Sequence, residues 1–267
     1  MTASQTIQNS SAAYAALARF YDMQHASYTP DVDMYKQLAA HGRSISAGAA
    51  PAILEIGSGT GRVMIPLAEA GFRVVGVDES PEMLQIARDR LAQIPAERWQ
   101  IVQADARTMN LTERFGMAFI ALNTFLHNLT REHQLGMLVA ARRHLLPGGE
   151  LIIDLPPNDE LAYQPDNGEY EYEATLIDPL SDATSDKYVA SEVFWSEQTQ
   201  VLSYRIELHS PDGNETQEVS FKLRHVFRYE MELLLLAAGF STCQWYGDYD
   251  MSAYSEDSPR MIAVAKA

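Results

Sequence analysis

One cysteine among 267 residues, Cys243, leaves no disulfide framework to build and fits a reducing compartment. Its thiol reads as a small core side chain rather than a nucleophile. Long apolar runs are missing as well. No stretch approaches the ~20 residues that cross a bilayer, and the opening Met1-Thr2-Ala3-Ser4-Gln5 has neither the basic start nor the apolar core of an export signal. A soluble, cytoplasmic protein is expected. Positive charge is scarce: 20 Lys and Arg face 36 Asp and Glu, a net charge of −16. That balance repels phosphate backbones and anionic membranes, so neither nucleic acid nor membrane is expected as a partner. The histidines His25, His41, His127, His133, His144, His209 and His225 are dispersed without paired spacing to acids, so no metal site is expected. The length suits one large domain, or a domain with an embedded subdomain.

What is present is concentrated between Ile53 and Asp78. Ile53-Leu54-Glu55-Ile56 and Val74-Val75-Gly76-Val77-Asp78 are short runs rich in Val and Ile, separated by a glycine-rich turn and a helix-length segment. This is the pattern of a β-α-β unit in a buried parallel sheet. Gly57, Gly59 and Gly61 allow a sharp turn and close approach to a ligand, at which the next helix aims its free N–H groups. Asp78, ending the second run, can accept hydrogen bonds from two ribose hydroxyls. A dinucleotide site would read G-x-G-x-x-G, but here the third glycine comes one residue early and Arg62 stands in its place. Glu55 beside the turn would repel a pyrophosphate and suits a ligand carrying an ammonium and a sulfonium.

On these residues the stretch resembles the first motif of class I S-adenosylmethionine-dependent methyltransferases of the bacterial small-molecule type. Asp105, Pro147-Gly148-Gly149 and the terminal strand extend the resemblance over roughly 51–154 and 229–267. It implies an α/β, Rossmann-like fold: a mostly parallel seven-stranded sheet with helices on both faces and an antiparallel β insertion after the fifth strand, the last strand running against the rest. It also implies S-adenosyl-L-methionine as cofactor, touched by Tyr21, Glu55, Gly57, Ser58, Gly59, Gly61, Asp78, Glu79, Met83, Asp105, Ala106 and Asn123. In that pattern Asp105 binds the adenine amino group and Ala106 packs on the ring.

The division that follows is an N-terminal helical cap over 1–50, a core over 51–155 and 229–267, and an insertion over 156–228. The apolar spacing of Ser11–Asp22 suggests one short helix, and Thr29-Pro30-Asp31 opens another that stops at Gly42. Tyr21 or Tyr28 would line the pocket, or simply pack a helix on the sheet. Ser80-Pro81-Glu82 starts a helix with Met83 on its buried side. The fourth strand, Met117–Leu122, runs straight into Asn123-Thr124-Phe125-Leu126-His127, where ligands of parallel sheets gather. Thr130 caps a long helix. From Pro156 an acidic loop is expected, then two strands, Leu202–Leu208 and Val219–Phe227, with His225 on the apolar face and Arg224 on the other. This insertion would roof an acceptor pocket. A last helix, about Tyr229–Ala238, would bury Leu233, Leu234 and Leu236 and end at Gly239.

Methyl transfer needs alignment, exclusion of water and at most a modest base. Asn123 is expected beside the transferring methyl, with His127 and His225 competing as base. The expected acceptor is a small molecule methylated at nitrogen or oxygen, the acidic chain favouring an amine, and the protein a monomer or homodimer. A nicotinamide-dependent oxidoreductase and a non-catalytic nucleoside-cofactor-binding protein stand as alternatives. The former lacks a Tyr-x-x-x-Lys pair on a helix.

Overall fold

The computed structural model describes residues 18, 21–22, 25, 28–45, 51–157, 173–177, 184–196, 198–209 and 216–267. The turn expected at Pro211–Asn214 and most of the expected Ser11–Asp22 helix lie outside them.

A helix, α1 (Pro30–Ile45), precedes β1 (Ile53–Ile56), α2 (Met64–Glu69), β2 (Val74–Asp78), α3 (Pro81–Leu91), β3 (Trp99–Gln103) and β4 (Phe115–Ile120). A 3-10 turn, Leu122–His127, leads to α4 (Arg131–His144) and β5 (Leu145–Leu155). Next come β6 (Glu173–Ile177), β7 (Thr184–Ser196), β8 (Val201–His209) and β9 (Thr216–Arg224), then α5 (Arg228–Ala237), β10 (Thr242–Tyr246) and β11 (Met261–Lys266).

Seven strands form one sheet in the order β10-β11-β5-β4-β1-β2-β3. Neighbours from β5 to β3 pair in parallel, whereas β11 runs antiparallel to both β5 and β10. The direction of winding reverses between β1 and β4, so a crevice opens at their carboxyl ends. All four residues of β1 are buried because both faces are covered: Leu54 and Ile56 join one core cluster, Ile53 the other. The first cluster also takes Leu151 and Ile153; the second takes Tyr35, Met64, Leu67 and Ile152. Helix starts follow the expected chemistry. Ser80 Oγ accepts the Met83 N–H at 3.2 Å, and Thr130 Oγ1 accepts that of His133 at 3.1 Å.

The other four strands make a separate antiparallel sheet, β6-β7-β8-β9. Two of these strands, β6 and β7, occupy sequence expected as acidic loop. Their alternation is hidden by the charges scattered around them, and Asp159, Glu160, Asp166, Glu169, Glu171, Asp178 and Asp182 lie outside the described residues.

Several boundaries and faces differ from expectation. Helix α1 continues past Gly42 to Ile45. Strand β4 ends at Ile120, because Leu122 turns to φ 49°. In α5 the buried side chains are Met231 and Leu235, while Leu233 and Leu236 are each 68% exposed. Four consecutive leucines leave the phase of a helix open, and packing against α4 decides it. Arg224 is buried, not on a solvent face: Gln134, Gln200 and Glu230 accept its N–H groups at 2.5–2.7 Å.

Candidate active site

The glycine turn leaves β1 with Gly57 and Ser58 N–H groups donating to Val77 O at 2.7 and 3.0 Å. Gly57, Gly59 and Gly61 have φ of 77°, 52° and 85°, a region that side chains disfavour. A Cβ on Gly57 would also overlap the Thr124 methyl. Asp78 braces the turn from β2, its Oδ2 accepting the Gly59 N–H and its Oδ1 the Ser80 N–H, both at 2.9 Å. Each oxygen keeps a second lone pair for a further donor. Burial pushes this carboxyl up, against the pull of its backbone donors.

Glu55 is 2% exposed, and its Oε2 has no hydrogen-bond partner among the described residues. Burial pushes its carboxyl well above the usual range, opposed by the nearby Arg62 guanidinium. The Met64 N–H also eases the burial of this acid, and the oxygen left without a partner could take a cationic ligand group beside the turn.

Beyond β2 and β3 lie Glu79, exposed, and Asp105, half-buried. Arg107 Nε and Nη2 grip the Asp105 carboxylate at 2.8 and 2.6 Å, and its backbone N–H adds a third bond at 2.8 Å. This grip holds Asp105 below the usual carboxylate range. Met83 is buried in α3, and Ala106 packs against the first core cluster.

Tyr21 stacks on His25 with ring centroids 4.4 Å apart, and burial raises its phenol in the field of Arg62 and Glu55. Tyr28 instead meets Tyr249 edge-on. Five residues that tie this segment to the turn escaped the sequence reading. Thr60 Oγ1 donates to Asp22 at 2.6 Å, Arg90 holds the other Asp22 oxygen at 3.0 Å, and Arg62 pairs with both oxygens of Asp31 at 2.9 and 2.5 Å. The available signal was Arg62 itself, a cation in a glycine's place.

At the end of β4, Asn123 is partly buried, with Oδ1 lacking a partner among the described residues. His127 closes the same turn and faces Phe221 of β9 at 6.2 Å. His225 is 1% exposed, edge-on to Phe227, with Arg224 and Glu230 nearby. Burial pushes both imidazoles down to about 4, so both are neutral at physiological pH. Cys243 shows no nucleophile's chemistry, since burial drives its thiol up to about 12. Among the described residues no group of three His, Cys, Asp or Glu could hold a metal, and no helix is long and apolar enough to cross a membrane.

A glycine turn, an acid at the end of β2 with lone pairs to spare and a buried carboxylate with one oxygen lacking a partner among the described residues could together hold a ligand that is nucleoside at one end and ammonium at the other. Residues 53–149 match a family model described as a methyltransferase domain. The fold superposes on the CcbJ methyltransferase from Streptomyces caelestis with a TM-score of 0.78 and 23% identity, over 96% of this chain and 98% of that one. Residues 53–149 are thus a methyltransferase domain, and the fold is that of the class I S-adenosylmethionine-dependent methyltransferases. The dinucleotide alternative falls with that assignment.

A cypemycin N-terminal methyltransferase from Streptomyces sp is 29% identical over 138 residues, 50% of this chain and 52% of the relative. The match thus spans about half of that relative's length. A glycine/sarcosine N-methyltransferase from Aphanothece halophytica is 26% identical over 251 residues, 91% of this chain and 83% of the relative.

Proposed function

We propose that this protein methylates the nitrogen of a small-molecule amine. What supports this reading is the 3-10 turn after β4, which carries Asn123, brings the Thr124 methyl to Gly57 and turns a neutral His127 towards Phe221 of β9. Of the two relatives named above, one is a glycine/sarcosine N-methyltransferase and the other an N-terminal methyltransferase.

S-adenosylmethionine supplies an electrophilic methyl group on a sulfonium, which the amine lone pair displaces while sulfur keeps the electrons of the broken bond. The chain's own residues prepare that displacement. Asp78 would take ribose hydroxyls on its remaining lone pairs, Asp105 and Ala106 would hold the adenine, with Glu79 and Met83 beside them, and Glu55 would take the ammonium end. Gly57, Ser58, Gly59 and Gly61 would form the bed, and Tyr21 would line it. Asn123 Oδ1 accepts an N–H of the amine. A neutral imidazole adds no positive charge near the sulfonium and accepts a second N–H, which selects the unprotonated amine and aims its lone pair. At about 4, neither imidazole is a strong base, so alignment and exclusion of water carry the reaction. His127 is assigned this role ahead of His225, which sits at the foot of β9 among Arg224, Phe227 and Glu230. The sheet β6–β9 forms the roof of the acceptor pocket.

The test is a panel of small amines and alcohols with methyl-labelled cofactor. Product at nitrogen is expected, and His127→Ala should lower kcat/KM roughly 10²-fold with cofactor affinity unchanged. Transfer only to oxygen would overturn the amine assignment. Cofactor binding with no transfer to any acceptor would favour a binding protein.

A further inference from the structure

One buried polar cluster has no task in the reading above. Asp154 ends β5 fully buried. Its Oδ1 accepts Arg260 Nε and Nη2 at 2.8 and 2.6 Å, and its Oδ2 accepts the Tyr249 hydroxyl at 3.0 Å. Those three donors would suffice for a structural ion pair. A fourth, the Leu122 N–H, reaches Oδ2 at 3.2 Å from the neighbouring strand's end.

Leu122 is one of three non-glycine residues with positive φ among those described. A leucine is disfavoured there unless its surroundings hold it, and such residues cluster where a site must be shaped. The consequence is local. Leu122 redirects the chain from β4, so its backbone fixes where Asn123 points and brings the Thr124 methyl into the space over Gly57. Burial of Asp154 is offset by Arg260, and the fixed carboxylate presents Oδ2 to the turn.

We propose that Asp154 is a positioning residue of the methyl-transfer site: locked by Arg260 and Tyr249, its carboxylate captures the Leu122 N–H and holds the left-handed turn that sets Asn123 and Thr124 against the glycine turn. The assignment of what binds there rests on the methyltransferase reading; the coupling of Asp154 to Leu122 does not. Asp154→Asn isolates the effect. Arg260 needs an oxygen facing it, so the amide nitrogen must take the other place, where it cannot accept the Leu122 N–H.

The test is calorimetric titration with S-adenosylhomocysteine, melting temperatures and hydrogen exchange of the Leu122 amide. Asp154→Asn should bind roughly tenfold more weakly, melt lower and lose Leu122 protection. Leu122→Gly, at ease with positive φ, should bind within about twofold of wild type. The double variant should regain most of the affinity while its melting temperature stays low, because the Arg260 and Tyr249 partners remain altered. Affinity that falls with melting temperature and is not rescued by Leu122→Gly would reduce Asp154 to a structural ion pair.

If Asp154→Asn does not fold, Leu122→Val and Leu122→Ala decide with Asp154 intact. Branching at Cβ disfavours left-handed backbone, so Val should bind several-fold more weakly than Ala; equal affinities overturn the proposal. Wild-type protein that bound no S-adenosylhomocysteine would sink the functional reading instead. Asp154 would then be judged on exchange alone: a Leu122 amide protected in wild type and fast in Asp154→Asn supports the coupling, and one unprotected in wild type overturns it.

Discussion

Thr60, inside the glycine turn, donates its hydroxyl to Asp22 at 2.6 Å, and Arg90 of α3 holds the second Asp22 oxygen at 3.0 Å while reaching the Thr60 carbonyl at 3.3 Å. Asp22 therefore clasps the turn from the N-terminal side. Asp22→Ala should weaken S-adenosylhomocysteine binding about three- to thirtyfold, through a turn that has lost its outer partner. Calorimetric titration reads this. Unchanged affinity would show that the turn keeps its shape unaided.

The Arg62–Asp31 pair is more deeply buried, with side chains 8% and 0% exposed. Removing one partner strands the other. Asp31→Ala should cost about 3–5 kcal/mol, a fall in melting temperature on the order of 10 °C by scanning calorimetry. A loss below ~1 kcal/mol would mean that water reaches Arg62 and solvates it.

Asp78 bears two loads, so its variants should separate them. Asp78→Ala removes the acceptor of the Gly59 and Ser80 N–H groups as well as the acceptor proposed for the ribose, and should lower S-adenosylhomocysteine affinity about ten- to a hundredfold. Asp78→Asn keeps one acceptor oxygen and should fall between Ala and wild type. Equal affinity in all three proteins would remove Asp78 from the site.

Glu55 links cofactor binding to pH. Its carboxyl lies well above the ordinary 4.5 in the ligand-free protein because it is buried. An ammonium placed beside it favours the ionised form, so binding expels a proton at any pH between the lower ligand-bound value and that raised one. Affinity should therefore tighten as pH climbs towards the raised value and level off once Glu55 is ionised before the ligand arrives. Glu55→Gln should flatten this dependence in titrations across pH 5 to 8. A slope of the same size in the variant would assign it to another group.

Stability should also rise with pH, through the two histidines. Their folded values, about 4, lie below the ordinary 6.5, so their contribution is complete above pH 6.5 and disappears as pH falls towards 4. The loss is on the order of 3 kcal/mol for each at the acid end. Denaturant titrations of His127→Phe and His225→Phe should show a shallower decline over that window. If the decline persists in both, other groups drive acid unfolding.

The sequence displays the glycine turn and the parallel sheet far better than the polar contacts around them. Gly57, Gly59 and Gly61 are readable because a turn at positive φ demands glycine, and Asp78 because an acid ending the next strand can take that turn's N–H groups. The parallel strands are readable because both faces are buried and their apolar runs are unbroken. Asp22, Asp31, Asp154 and Arg260 are not. Their pairings join positions 31 to 106 residues apart, and an isolated Asp looks the same in sequence whether it caps a loop or balances a buried arginine. Strands β6 and β7 escaped for a related reason: the charges scattered through and around them break the apolar alternation and read as loop.

The contact between Thr124 and the space over Gly57 limits how this site can diversify. Position 57 is closed to substitution twice over, by its backbone and by the Thr124 methyl that fills the space a Cβ would take. A lineage adapting to new acceptors is therefore held to glycine at 57, and a library randomised across both positions should return glycine there whatever it returns at 124.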